Sequence, residues 1–96
     1  MKRTNTEHIG AILQRFLRQE GLETPLNQYR LVNAWKDVVG PGIARYTRDV
    51  FIKNQTLFVL LSSSVLRQEL MIGKSRLIKE LNERVGAQVI TDISFK

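Results

Sequence analysis

Residues 56–95, TLFVLLSSSVLRQELMIGKSRLIKELNERVGAQVITDISF, decide the fold because they predict a strand, two helices and a second strand in that order. Residues 56–62 are rich in β-branched and aromatic side chains, as strands commonly are. The uninterrupted apolar run from Leu57 to Leu61 predicts that both faces of this strand are covered. Apolar and polar residues alternate between Val89 and Phe95, which predicts the closing strand.

The stretch between these strands has a helical composition, but a single helix from Ser63 to Arg84 conflicts with its charges. Arg67 and Lys74 would then lie inside the apolar stripe, where unpaired charges are costly. A break at Gly73 lets the second helix turn its own apolar residues inward. We therefore predict two helices joined by an exposed basic turn over residues 73–76.

A short antiparallel hairpin is predicted immediately before this unit. Residues 50–53 form its first strand, and Asn54-Gln55 forms the turn, since asparagine tolerates left-handed backbone. The second central position of a type I′ turn favours glycine, and Gln55 stands there instead. The turn type therefore stays open.

Two amphipathic helices are predicted at the start of the chain. The first begins at a cap provided by Asn5 or Thr6 and ends at Gly21. Its apolar stripe comprises Ile9, Ile12, Leu13, Phe16 and Leu17. The second begins at Thr24-Pro25 and stops at Gly40-Pro41-Gly42, because proline disfavours helix at the residue before it. Its stripe comprises Tyr29, Val32, Trp35 and Val39, and Ile43, Ala44 and Tyr46 predict one further turn.

This order of elements predicts an α+β fold. A three-stranded sheet with helices packed mainly on one face would bury all the apolar stripes at once. We expect residues 1–96 to form a single domain, because the chain shows no second composition block and no linker-like segment. Residues 1–6 are expected to be flexible.

The composition favours a polyanionic partner and argues against several other classes. Fifteen Lys and Arg against nine Asp and Glu give a formal charge of +6, which favours nucleic acid. There is no cysteine and one histidine, His8, so neither a disulfide framework nor the usual zinc ligand sets can form. No apolar stretch approaches the roughly 20 residues that cross a bilayer. We expect a cytoplasmic protein without a membrane partner.

The sequence contains no motif that predicts catalysis. Ser62-Ser63-Ser64 lacks the glycines of a nucleophile elbow, and helix capping explains these serines better. Gly40-Pro41-Gly42 lacks the lysine and hydroxyl residue of a phosphate loop. His8, in the first turn of an amphipathic helix, is expected at the surface. We therefore expect no enzyme, no cofactor, no metal and no small-molecule substrate.

The predicted strand–helix–helix–strand unit resembles the core of a KH nucleic-acid-binding module in its type II order. KH domains pass a four-nucleotide strand over a Gly-x-x-Gly turn between two helices. Gly73-Lys74-Ser75-Arg76 resembles that turn, with Arg76 in place of the second glycine. A helix–helix corner with ordinary surface charges explains these residues about equally well. The candidate phosphate-binding residues are Arg67, Lys74, Arg76 and Lys79, with Arg45 and Arg48 before the hairpin as a second cluster.

A longer resemblance covers residues 8–95. Residues 35–44, WKDVVGPGIA, with Thr47 shortly after, resemble the signature of the bacterial DciA family. Later blocks follow in the expected order: Leu57 to Leu61 with the serines, Leu66 to Leu70, Leu81-Asn82, Val85-Gly86 and Asp92 to Phe95. The resemblance implies a KH-like domain that binds DNA and, in members studied as such, helps to load the replicative helicase. It implies no catalysis, and a tryptophan such as Trp35 is more often a core residue.

Two functions of different classes remain open. The leading hypothesis is a non-enzymatic KH-like domain that binds single-stranded or junction DNA weakly, without strong sequence preference, as a replication accessory. RNA stays an alternative because the KH scaffold serves both polymers. The second hypothesis is an adaptor that docks on the replicative helicase, or another replication protein, through its amphipathic first helix. Phe51, Phe58, Phe95 and Tyr46 could stack bases, but strand phenylalanines in so small a domain are expected in the core.

Overall fold

The computed structural model describes residues 2–96, with side chains for residues 10–16 and 18–96. The elements are α1 (Lys2–Gln19), α2 (Glu23–Val39), α3 (Pro41–Ala44), β1 (Thr47–Lys53), β2 (Thr56–Leu61), α4 (Ser64–Ile72), α5 (Lys74–Val85) and β3 (Asp92–Phe95). The α+β prediction is confirmed. Helix α1 begins at Lys2, so the prediction that Asn5 or Thr6 caps its start is wrong. The surface position of His8 lies outside the described side chains, and the flexibility of residues 1–6 stays a prediction.

The three strands form one mixed sheet in the order β1-β2-β3. Strands β1 and β2 pair antiparallel, whereas β2 and β3 pair parallel. The hairpin turn places both Asn54 (φ 52°) and Gln55 (φ 60°) in the left-handed region, which is typical of a type I′ turn. The geometry therefore decides the turn type that the missing glycine left open.

One face of the sheet is buried beneath the helices, and the other is partly exposed. On β2, Leu57, Val59 and Leu61 are buried, and Ile93 of β3 lies beside Leu57 on the same inner face. Phe58 and Leu60 alternate with them and retain exposure on the outer face. The prediction that both faces of this strand are covered is therefore wrong, since its apolar run lies in a sheet with helices on one side.

Helix α2 contributes the centre of the core. Leu31 and Trp35 are fully buried, and the Trp35 indole Nε1 donates a hydrogen bond of 3.0 Å to Thr47 Oγ1. Trp35 is thus a core residue, as expected. Tyr29 is 68% exposed, so its predicted place in the buried stripe is wrong. It precedes Leu31 by two positions, which puts it about 200° around the helix from the buried face.

Both helices at the start of the chain differ from prediction at their ends or faces. Helix α2 begins at Glu23 after Leu22, which makes no side-chain cap bond, so Thr24 is not the cap. Gly40 ends α2, as predicted, with φ 87°. Helix α1 packs against α2, yet Ile12, Leu13 and Phe16 are each about half exposed. The predicted apolar stripe of α1 is therefore only partly covered.

Gly73 breaks the helical stretch, as the charge argument predicts. Its φ of −98° and ψ of 19° turn the chain within a single residue. The exposed basic turn predicted over residues 73–76 is wrong, because Lys74, Ser75 and Arg76 form the first turn of α5. Ser63 caps α4: its hydroxyl accepts a hydrogen bond of 3.2 Å from the Leu66 N–H.

The segment between α5 and β3 is held by one side chain. Asn82 Oδ1 accepts hydrogen bonds from the N–H groups of Val89 (3.0 Å) and Ile90 (3.1 Å), and Nδ2 donates to the Ile90 carbonyl (2.9 Å). Val89 and Ile90 are buried but lie outside the strand. Strand β3 is therefore shorter than the predicted span from Val89, because Asn82 takes the backbone groups that a ladder would use.

An ion pair connects the start of α5 to the start of β3. Lys74 Nζ lies 3.1 Å from Asp92 Oδ1, and the two side chains are 36% and 55% exposed. The hydrogen bond from Lys74, followed by that from the Ile93 N–H, lowers the pKa of the Asp92 carboxyl below its ordinary value near 3.8. Asp92 is therefore ionised throughout the neutral range.

We expect Asn82→Ala to destabilise the fold by about 2–3 kcal/mol, because it removes three hydrogen bonds and leaves partly buried backbone groups without partners. Denaturant unfolding measures the change. Asn82→Asp keeps the acceptor and loses the donor, so we expect a smaller loss. An Asn82→Ala protein as stable as wild type would contradict this role.

The Lys74–Asp92 pair predicts a pH-dependent contribution to stability. Because the folded-state pKa of Asp92 is lowered, its contribution is present above the unfolded-state value and is lost as pH falls through the folded-state value. We expect Asp92→Asn to lower the free energy of unfolding by less than about 1 kcal/mol at pH 7, since the pair is exposed. The difference in free energy of unfolding between the variant and wild type should narrow below about pH 4. Thermal unfolding between pH 7 and pH 2 measures this.

Glu69→Gln is the matched control, because it neutralises an exposed carboxylate of α4. A difference between wild type and Asp92→Asn that stays constant across the acid range would contradict the ion-pair argument.

Candidate nucleic-acid interface

The six cations predicted as phosphate contacts fall into two groups in space. Lys74, Arg76 and Lys79 follow one another along α5. Arg45 and Arg48 flank the start of β1, and Arg67 projects from α4. Arg48 and Arg67 line the same surface depression. None of the three α5 cations lines this depression or the two others described below.

Two of the three α5 cations are paired with carboxylates. Lys74 contacts Asp92 at 3.1 Å, and Arg76 Nε lies 3.8 Å from Glu80 Oε1, one turn along the same helix. Arg76 is 83% exposed, so its pair is weak and screened by solvent. Lys79 is exposed on α5. The positive charge of this surface is therefore partly neutralised.

A depression at one end of the sheet collects three cations. Its lining comprises Arg48, Asp49, Leu60, Leu61, Arg67 and Lys96, and its volume is about 580 Å³. Arg48 lies at a bulge, where the pairing register shifts between Thr47 and Asp49. A bulge releases its residue from the regular ladder and redirects its side chain. The depression is thus positively charged, with one acid against three bases.

Lys96 is a member of this depression that the sequence did not identify. Its N–H donates to the Val59 carbonyl at 2.8 Å, and its own carbonyl accepts from the Leu61 N–H at 2.9 Å. These two bonds continue the parallel ladder past β3 and place Lys96 beside Leu60. Its position follows from the strand register, in which Ser94 pairs with Phe58 two residues earlier, and no local sequence pattern shows that register.

Two further depressions follow the first in a row, the second sharing Arg48 with the first and the third sharing Lys36 with the second. One, of about 480 Å³, lies between α2 and β1 and is lined by both Lys36 and Arg48. The next, of about 450 Å³, is lined by Lys36 and Arg45. Because each depression shares a cation with its neighbour, the three form a continuous surface. We call it the basic groove, defined by Arg45, Lys36, Arg48, Arg67 and Lys96.

The acids of the basic groove leave it with excess positive charge. Asp37 lines the depression of Arg45, and Asp49 lines that of Arg48. Five cations and two acids give a local charge of +3. Asp37 Oδ2 lies 3.8 Å from Arg84 Nη1. Asp49 Oδ1 accepts a hydrogen bond of 2.9 Å from the Val50 N–H. Both carboxylates therefore have other partners.

Arg67 is the least solvated cation of the basic groove. The side chain is half-buried, and its buried Nε finds no hydrogen-bond acceptor among the described residues. A buried donor without an acceptor costs about 1–3 kcal/mol, and more when the group is charged. The Nε itself is out of reach of a ligand, and it is as a lining residue of the depression that Arg67 contributes its positive charge.

Arg45 stands at the other end of the basic groove, beside an exposed aromatic ring. Its guanidinium carbon lies 5.8 Å from the centre of the Tyr46 ring, a distance compatible with a cation–π contact. Tyr46 is 44% exposed, so its ring is open to solvent. Its backbone is fixed nonetheless, because the Tyr46 carbonyl accepts from the Ser62 N–H at 2.9 Å.

Aromatic rings also occupy the outer face of the sheet. Phe51 and Phe58 pair across β1 and β2, with ring centres 5.0 Å apart and planes 13° from parallel. Phe51 is 41% exposed, and neither ring packs in the hydrophobic core. The expectation that Phe51 and Phe58 lie in the core is therefore wrong. Phe95 alternates to the inner face and packs against Trp35, with ring centres 6.4 Å apart. The difference arises because alternation along each strand sends these phenylalanines to opposite faces.

None of the helices in the described part of the chain has both the length and the apolar content that spanning a bilayer requires.

The comparisons with known proteins agree with the family resemblance. The family model described as "Dna[CI] antecedent, DciA" matches residues 8–95. The UPF0232 protein of Corynebacterium glutamicum (strain R) is 25% identical over 87 residues, which cover 91% of this chain and 49% of that protein. The chain therefore spans about half the length of this relative. Because the family model covers nearly all of the sequence, including the Trp35 core block, the chain belongs to the DciA family.

Proposed function

We propose that this chain is a non-enzymatic nucleic-acid-binding domain that acts as an accessory in DNA replication. It binds single-stranded or junction DNA weakly and without strong sequence preference. The basic groove is the observation that carries this proposal, because it joins five cations on one continuous surface. Family membership supports the replication context.

Binding in the basic groove would proceed by neutralising phosphates. Cations that contact phosphate release condensed counterions, so affinity falls as salt rises, with a slope of about −0.7 per neutralised phosphate for single strands. Non-specific affinities of this kind are about 10⁻⁴ to 10⁻⁶ M at physiological salt. Arg67 lines the same depression as Arg48 and Lys96, so a phosphate bound there would meet three cations.

The order of elements supports a KH-like arrangement with type II topology. The parallel pair β2 and β3, joined through α4 and α5, agrees with that order. The phosphate clamp of a KH domain needs a turn in which backbone approaches the ligand, whereas here only Gly73 separates the helices. We therefore place the main contact in the basic groove, with Lys74, Arg76 and Lys79 as a secondary surface on α5.

DNA is favoured over RNA by the replication context of the family, and the same cations would bind either polymer. A direct competition between DNA and RNA strands of equal length distinguishes them. A cytoplasmic location, with no membrane partner and no small-molecule substrate, belongs to the same proposal.

A second candidate function is supported by helix α1. Ile12, Leu13 and Phe16 share a face of α1, and each is about half exposed. Such a face suits an apolar protein surface. An adaptor that docks on the replicative helicase, or on another replication protein, through α1 is therefore the alternative.

We expect the double variant Arg48→Glu/Arg67→Glu to bind a fluorescent single strand at least tenfold more weakly than wild type, because two groove cations become repulsive. The slope of affinity against salt should also become shallower. Fluorescence polarisation at about 50 and 200 mM salt measures both.

Arg15→Glu/Arg18→Glu, which makes the same change of charge on α1, serves as the control. Arg76→Glu/Lys79→Glu tests the secondary surface on α5, and we expect it to weaken binding less than the groove variant does. Equal weakening by the groove and α1 variants would reduce the effect to net charge, and full binding by the groove variant would refute the proposed surface. If wild type does not bind at low salt, the whole proposal is wrong.

For the adaptor, we expect the chain to co-elute with the host replicative helicase in size-exclusion chromatography. Ile12→Asp/Phe16→Asp should abolish the complex by charging the apolar face of α1, whereas Lys74→Glu/Arg76→Glu should leave it intact. A complex that survives the α1 variant and fails with the charge reversals would exclude docking through α1.

A further inference from the structure

The outer face of the sheet exposes a preformed aromatic surface. Phe51 and Phe58 are stacked almost parallel, 5.0 Å between ring centres, and the helices that bury the inner face do not cover them. Rings on adjacent strands hold this geometry through backbone pairing, so little conformational entropy is lost when a flat partner binds.

This aromatic surface is continuous with the basic groove. Along the strands, the row that contains Asp49 and Leu60 lies two residues from the row of Phe51 and Phe58. Two residues of strand span about 7 Å. Lys96 connects the two surfaces, because its Nζ lies 5.9 Å from the centre of the Phe58 ring and the residue also lines the depression of Arg48 and Arg67.

The combination of flat apolar rings and adjacent cations selects one chemistry. An apolar peptide would cover the rings but leave the cations without partners. A simple polyanion would pair with the cations but leave the rings exposed to water. A nucleotide with an unpaired base carries a flat π-face and a phosphate within the length of one residue of the polymer. Bases inside a duplex have both faces stacked already, so they cannot use the rings.

We propose that Phe51 and Phe58 form a stacking site for an unpaired base of a single strand whose neighbouring phosphate lies in the basic groove. This inference rests on the proposed function and adds to it the site at which an unpaired base is held. Stacking involves the π-face that every base has, so it adds affinity without sequence specificity.

The test compares two ligands that share phosphates and differ in bases. An oligothymidine strand offers bases to the stacking site, whereas an abasic strand of equal length offers only the backbone. We expect wild type to bind oligothymidine at least fivefold more tightly, in keeping with a base stacking on an aromatic ring. Phe51→Leu/Phe58→Leu should lose that preference, bind both strands like the abasic one, and keep the same slope against salt.

Tyr29→Leu is the matched control, because it removes an exposed aromatic ring from α2 rather than from the sheet. It should keep the wild-type preference for oligothymidine. If the double Phe variant retains the preference, the stacking site is wrong and the proposed function stands. If wild type binds neither strand at low salt, the proposed function itself fails.

Crosslinking provides a readout on the wild-type chain that does not depend on how the variants fold. A strand that carries 5-iodouracil, irradiated in complex with the chain, should crosslink to Phe51 or Phe58, and mass spectrometry of the peptides locates the site. Crosslinks confined to α1 or α5 would overturn the proposal.

Discussion

Strands β2 and β3 run parallel, and this pairing constrains the rest of the chain because parallel neighbours cannot be joined by a tight turn. The chain must cross from one end of the sheet to the other, and α4 and α5 make that crossing with Gly73 at the corner. The crossover carries Arg67, and the strand that it leads to is followed directly by Lys96. Both side chains line the same depression, so the candidate interface is a consequence of the connection.

The helices pack on one side of the sheet, and the side that they leave open determines which side chains meet solvent. A chain of 96 residues has enough apolar side chains for one core, which forms between the helices and the inner face around Trp35. The outer face then keeps Phe51 and Phe58 in contact with solvent. The charges divide in a similar way, because Lys74 and Arg76 contact carboxylates while the basic groove retains an excess of cations.

The features that sequence alone predicted are those set by neighbours along the chain. The conflict between two charges and an apolar stripe located the break at Gly73, and the hairpin turn at Asn54-Gln55 follows from local conformational preference. Trp35 was expected in the core on the spacing of its helix, and it is fully buried. Of the six predicted site residues, Arg45, Arg48 and Arg67 lie in the basic groove, together with Lys96, which no local pattern indicated.

Sequence by itself determined the types and order of the elements, the break between the last two helices and the surplus of positive charge. Only the tertiary structure decided which face each residue occupies: Tyr29 is exposed, Phe58 lies on the outer face, and Val89 is buried outside any strand. The physical reason is that periodicity defines a stripe relative to its own helix or strand. Which stripe meets the core depends on strand register, on the crossover and on bonds such as those of Asn82, which join residues far apart in the chain.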